Sequence, residues 1–153
     1  SPSAALCQSY IKRPYLLVVA SAVGIIGIAF LALDLEWHFK SIWHVLLFLQ
    51  VNLLITCFAE EMFMRLIVQR QLAVWCQRFN FLGYLGKEIV PLILVTLLFL
   101  LAHRLEGLGE YIVYGFAGLM YGLIYTLTKR VEHSIVLHFL VNALHFCFLS
   151  YPV

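Results

Sequence analysis

The sequence predicts an all-α, polytopic transmembrane helix bundle of about five spans. Three observations carry that prediction. Of the 153 residues, 63% are hydrophobic and only 12% are charged, whereas a soluble domain carries about 25% charged residues. Mean hydropathy is +0.96. The apolar residues also gather into repeated runs of roughly 14–20 residues, the length that crosses a hydrocarbon core.

The first run, Pro14 to Leu33, follows Lys12 and Arg13. A basic stretch before an apolar run can mark a signal peptide, but roughly 20 residues suits a span better. Residues 1–13 therefore read as a polar N-terminal segment and 14–153 as one transmembrane helical domain. Ala20, Ser21, Gly24 and Gly27 offer close packing within the first helix. The chain begins at Ser1 rather than Met, which predicts a processed chain or one cut from a longer protein with further helices upstream.

A polar interval, Asp34 to Ser41, comes next, with Trp37 and Trp43 placed like interfacial anchors. The second helix starts near Trp43 and runs through Glu60 and Glu61 to about Gln71, since no Gly or Pro interrupts it. The third spans Ile89 to His103, with Pro91 in its first turn, where proline is tolerated. The fourth spans Tyr111 to Thr128 and carries Gly115, Gly118 and Gly122 on a face that lets another helix approach closely. The fifth extends to Val153 and starts at or before Ser134.

Charge sets the expected partners and orientation. A net charge of +2 without a basic, aromatic-interleaved stripe points away from nucleic acid and leaves the lipid bilayer as the first partner. With the N-terminus in the cytoplasm, that side holds Lys12, Arg13, Arg65, Arg70, Arg78, Lys87, Lys129 and Arg130, against Lys40 and Arg104 opposite. This bias predicts an N-in topology, as in a prokaryotic cytoplasmic membrane. Cys7, Cys57, Cys76 and Cys147 form no CxxC pair and read as structural.

Against this apolar background, a few ionisable residues stand out, because a charge at the centre of a membrane helix costs roughly 2.5–3.5 kcal/mol. Glu61 and Arg65 are four apart, which allows an ion pair within one turn. Glu60 projects about 100° away from them and has no local cation, so a partly desolvated carboxylate there suits a general base acting on water. The competing interpretation is a solvated helix end in the headgroup region. His138 and Asn142 are also four apart and can supply two hydrogen-bond donors to an oxyanion, or form an interhelical polar clamp. His103 closes the third run and fits either a site or an interface. His145, on the stripe of His138, reads as structural, and His38, His44 and His133 take no role. At 1.5 Å per residue, Glu60 lies roughly 15 Å from Arg70, and His103 roughly 24 Å from Lys87. The four groups then meet near mid-bilayer, reached from the cytoplasmic side, provided the second helix continues past Arg65.

EExxxR (Glu60 to Arg65), FxxxH (Phe99 to His103) and HxxxN (His138 to Asn142), in that order on apolar helices, resemble the CPBP family of intramembrane proteases. That family includes the type II CAAX-prenyl endopeptidases and the bacteriocin-processing or self-immunity, Abi-like proteins. The resemblance covers about residues 43–148. It implies a glutamate-dependent intramembrane endopeptidase acting on a peptide or protein at the membrane, without a cofactor. Glu60 would activate a water, His103 would help to hold or deprotonate it, and His138 and Asn142 would form the oxyanion hole. Glu61 and Arg65 would support, Glu61 sharing in positioning the water. Two departures stand out: Leu66 occupies a position that is often Gly, and Lys129 to His133 replace a small-residue turn.

Three rivals stay open. Two carboxylates with two histidines can bind zinc, although no HExxH is present and Asn is a poor zinc ligand. A non-catalytic immunity or peptide-binding protein would keep the same fold. A transporter is the most distant, since no paired broken helices signal inverted repeats.

Overall fold

The computed structural model describes residues 13–150; Cys7, Lys12 and nearly all of the polar N-terminal segment lie outside the described residues, as does the end of the fifth run. Five helices among the described residues are long and apolar enough to cross a membrane: α1 (Pro14–Ala32), α2 (Ile42–Cys76), α3 (Tyr84–Ala102), α4 (Leu108–Thr128) and α5 (Val131–Phe148). The chain is an integral, multi-pass, all-α membrane protein. A two-residue antiparallel pair joins β1 (Glu36–Trp37) to β2 (Leu149–Ser150). It ties the first connection to the end of α5, and the Lys40 ammonium reinforces it by donating to the carbonyls of Phe146 and Leu149 at 2.8 and 2.9 Å.

Helix α2 is continuous, as the absence of Gly and Pro predicts. Its 35 residues extend roughly 52 Å, well beyond a hydrocarbon core of about 30 Å, so it must tilt or project. The winding is not uniform. Asn52–Cys57 and Met62–Gln69 adopt the wider π pitch on either side of one α turn, Phe58–Glu61, which carries both glutamates. Wide turns of this kind occur often at functional sites.

Helix α4 sits centrally, against α1, α3 and α5. A core of Ile25, Val95, Phe99, Tyr121, Ile124 and Leu137 joins these helices, each residue at most 2% exposed. The glycine face of α4 is structural, as expected, and two of its positions are tight. A Cβ on Gly118 would lie 2.8 Å from the Phe99 ring, and one on Gly122 would lie 2.5 Å from Leu92 and 3.0 Å from Arg65 Nη1. At Gly115 the nearest atom would be a comfortable 3.7 Å away.

Two expectations need correction. Helix α3 begins at Tyr84, so Pro91 lies inside the helix rather than in its first turn. There it leaves the Lys87 carbonyl without its usual donor; the polar residues Tyr84 to Glu88 hid the helix start from a reading based on apolar runs. In α1 the inward stripe is Val18, Ser21, Ala22, Ile25 and Ala29. Ala20 is exposed and Gly27 has nothing near its Cβ position, so those two small residues serve no close contact. The two-residue turn before α5 is closed by Lys129, which takes the left-handed conformation (φ 56°) that a small residue would more easily adopt. Its amide bonds the Tyr125 carbonyl at 2.7 Å and its ammonium pairs with Glu88 at 2.7 Å.

Candidate active site

Glu61 and Arg65 form the anticipated ion pair, with Nε 2.7 Å from Oε2 and both side chains wholly buried. The other carboxylate oxygen, Oε1, lies 2.9 Å from His138 Nδ1. The pair is therefore a three-residue clamp from α2 to α5. Arg65 Nη1 donates to Gln69 Oε1 at 3.1 Å, and Gln69 Nε2 donates to the Gly122 carbonyl and the Thr126 hydroxyl at 3.1 and 2.9 Å. A polar ladder thus runs from His138 through Glu61, Arg65 and Gln69 into α4. Gly122 lacks the side chain that would block it.

Glu60, one residue earlier, faces elsewhere. It lines a cavity of about 390 Å³ together with His103, His138 and Asn142, the other residues singled out from sequence. All four come together, from α2, from the residue that ends α3, and from α5. Glu60 is half-buried and makes no ion pair among the described residues. Glu61 is not part of the lining. Both its oxygens are engaged, one by Arg65 and the other by His138.

The hydrogen bonds fix some ring states. His103 Nδ1 lies 2.8 Å from the Phe99 carbonyl. A carbonyl can only accept, so Nδ1 carries the proton and a neutral ring keeps a lone pair on Nε2. The FxxxH spacing is the one that lets a histidine reach back a single turn to that carbonyl. Phe99 also stacks near His103 (4.3 Å between centroids), and Tyr114 flanks the ring at 4.9 Å. His138 lies flat on Tyr121, 4.6 Å away and tilted by 17°. With Nδ1 turned to the Glu61 carboxylate, its Nε2 is the nitrogen left for the cavity. Asn142 is less free than its place on the His138 stripe suggests: its Nδ2 donates to Asn52 Oδ1 at 3.0 Å and approaches Cys57 Sγ at 3.8 Å.

Sequence reasoning missed Asn52, Thr56 and Tyr121, which line the cavity, and Gln69 and Thr126 behind it. A signal existed: Asn52, Thr56 and Glu60 recur every four residues, and Gln69 continues the Glu61–Arg65 series. His145 also lines the cavity, although it read as purely structural. Among the described residues, no group of three or more His, Cys, Asp or Glu side chains is arranged to hold a metal.

The cavity occupies one half of the bundle. Leu33 at the end of α1, Phe48 near the start of α2, His103 after α3 and Phe146 near the end of α5 belong to its lining. This is the end where the 33–41 and 103–107 connections lie, opposite the end at which α1 begins. Access from the N-terminal, cation-rich side, as the depth argument from sequence expected, does not match this placement. Distance along each helix does not fix the direction in which the space between the helices opens.

No curated protein and no solved structure matches the chain. The family model described as type II CAAX prenyl endopeptidase Rce1-like matches residues 41–144. That stretch contains α2 to α4 and most of α5, with Glu60, Glu61, Arg65, His103, His138 and Asn142 all inside it. The chain thus belongs to the type II CAAX prenyl endopeptidase Rce1-like family, a family of proteases.

Proposed function

We propose that this protein is an intramembrane endopeptidase that hydrolyses a peptide bond through a water activated by Glu60. The observation that carries the reading is the convergence of Glu60, His103, His138 and Asn142 on one cavity within the bundle. Glu60 takes a proton from the water while the lone pair on His103 Nε2 accepts the water's second hydrogen bond. The water oxygen adds to the scissile carbonyl, and the oxyanion is held by donors on the His138–Asn142 face. Collapse breaks the C–N bond, and the proton on Glu60 passes to the leaving amine. Glu61, Arg65 and Gln69 position His138.

The catalytic core is residues 43–148 of a membrane domain 14–153. Arg65 is buried in its ion pair and drops out of the orientation count. Among the described residues, Arg13, Arg70, Arg78, Lys87, Lys129 and Arg130 remain at one end, against Lys40 and Arg104 at the other. We take the first end as cytoplasmic on this bias, which puts the cavity towards the opposite face. The first substrate to offer is a farnesylated peptide ending in a CAAX-type sequence, given to the protein in nanodiscs where both faces are accessible. Wild type should cleave it and Glu60→Gln should lose about 10²-fold or more in kcat. Cleavage by Glu60→Gln at the wild-type rate refutes the mechanism. Inactivation by a chelator would favour the zinc alternative, and binding without cleavage would favour the non-catalytic one.

A further inference from the structure

We infer that Asn52 is a catalytic residue of this site, presenting the second N–H to the oxyanion, and that Asn142 is the residue that orients it. The inference rests on the peptidase reading above and changes which side chain does the work. Asn52 is only 3% exposed, yet it lines the cavity with Glu60 and His138. Its Oδ1 accepts from Asn142 Nδ2 at 3.0 Å. Its own Nδ2 is buried and meets no oxygen or nitrogen acceptor among the described residues, only the weakly accepting Cys57 thiol. A buried N–H is rarely left without an acceptor, and a substrate carbonyl entering the cavity provides one. Asn142 is the poorer donor, because the Asn52 oxygen already engages its amide, whereas the Cys57 thiol lies against both asparagines.

The winding of α2 supports the assignment. Residues eight apart on an α-helix are offset by about 80° around its axis, which would turn Asn52 away from Glu60. The π stretch Asn52–Cys57 advances less per residue and brings Asn52, Thr56 and Glu60 onto one line facing the cavity. The wide turn thus has a purpose: it puts a donor on the same helix face as the base.

The test uses the whole chain in nanodiscs and two variants. Asn52→Ala removes the amide, while Asn52→Leu keeps its bulk and branching without a donor or a charge. Both should lower kcat by about 10²–10³-fold, the usual cost of one oxyanion donor, with KM nearly unchanged. If Asn52→Leu keeps kcat within threefold of wild type, no donor is needed at this position and the inference is overturned. A second measurement needs no turnover. A farnesylated peptide carrying an isotope-labelled ketone in place of the scissile amide is bound, and its carbonyl stretch is read by difference infrared spectroscopy. The stretch should lie lower on wild type than on Asn52→Ala; equal frequencies overturn the inference. Because the ketone cannot be cut, this readout judges Asn52 even if Glu60→Gln cleaves normally and the peptidase mechanism itself is withdrawn.

Discussion

Replacing Arg65 by methionine removes the guanidinium from a carboxylate with no exposed surface. Met resembles the Arg stem in length, so packing is largely kept and the lost charge is what the experiment reads. Both partners are 0% exposed. Removing one member of such a pair costs about 3–5 kcal/mol, because the other charge stays buried without compensation. At about 1.4 kcal/mol per decade, the folding equilibrium shifts by a factor of roughly 140–3,700. The assay is reversible unfolding by added SDS in mixed micelles, followed by tryptophan fluorescence. The double variant Glu61→Gln/Arg65→Met provides the control. Glutamine retains an acceptor for His138 Nδ1 and carries no charge, so the double variant should be more stable than the sum of the single effects by about 1–3 kcal/mol. Activity should stay low in all three variants, since His138 loses its charged clamp. An Arg65→Met cost below about 1 kcal/mol, or strictly additive effects, would refute the claim that this pair is a buried unit.

Three further outcomes test other parts of the structure. Gly118→Ala puts a Cβ 2.8 Å from the Phe99 ring, whose residue also supplies the carbonyl that holds His103; the displacement should lower kcat by about 10²-fold, read in the peptide cleavage assay. Gly122→Ala overpacks the contact with Leu92 and Arg65 and should destabilise by about 1–3 kcal/mol, whereas Gly115→Ala, with 3.7 Å of room, should leave SDS unfolding unchanged. In right-side-out vesicles, Ser41→Cys should react with an impermeant maleimide and Arg78→Cys should not. The reverse pattern would invert the orientation.

Much of the fold was legible because a bilayer penalises unpaired polar backbone and charge so heavily. The five helices, the continuity of α2, the Glu61–Arg65 pair and the glycine face of α4 all follow from local spacing in the sequence. What escaped it was relational. The start of α3 lies in the polar stretch Tyr84 to Glu88, which carries no apolar signal. The pairing of Glu61 with His138 joins residues 77 positions apart, and no periodicity within one helix shows it. Asn52 recurs at four-residue spacing with Thr56 and Glu60, but an ideal α-helix offsets the first from the last by about 80°, and the π winding that sets Asn52 beside Glu60 has no sequence signature as plain as a glycine or a proline. The side on which the cavity opens depends on how the helices splay, which distance along each one does not fix.

The clamp within α2 also bears on how the chain enters the membrane. During synthesis α2 emerges before α4 and α5 exist, so neither His138 nor the Gly122 carbonyl is there to meet Glu61 or Gln69. A naked glutamate or arginine would each resist partition into lipid by roughly 2.5–3.5 kcal/mol. Because Glu61 and Arg65 are four residues apart on the same helix, they can neutralise each other as soon as that turn forms, without waiting for a partner. Gln69, one turn further on, receives the arginine's next bond within the same segment. The helix therefore brings most of its own counter-charge to the translocation machinery, and Glu60 is the one acidic group of the site that must cross the lateral gate uncompensated or protonated.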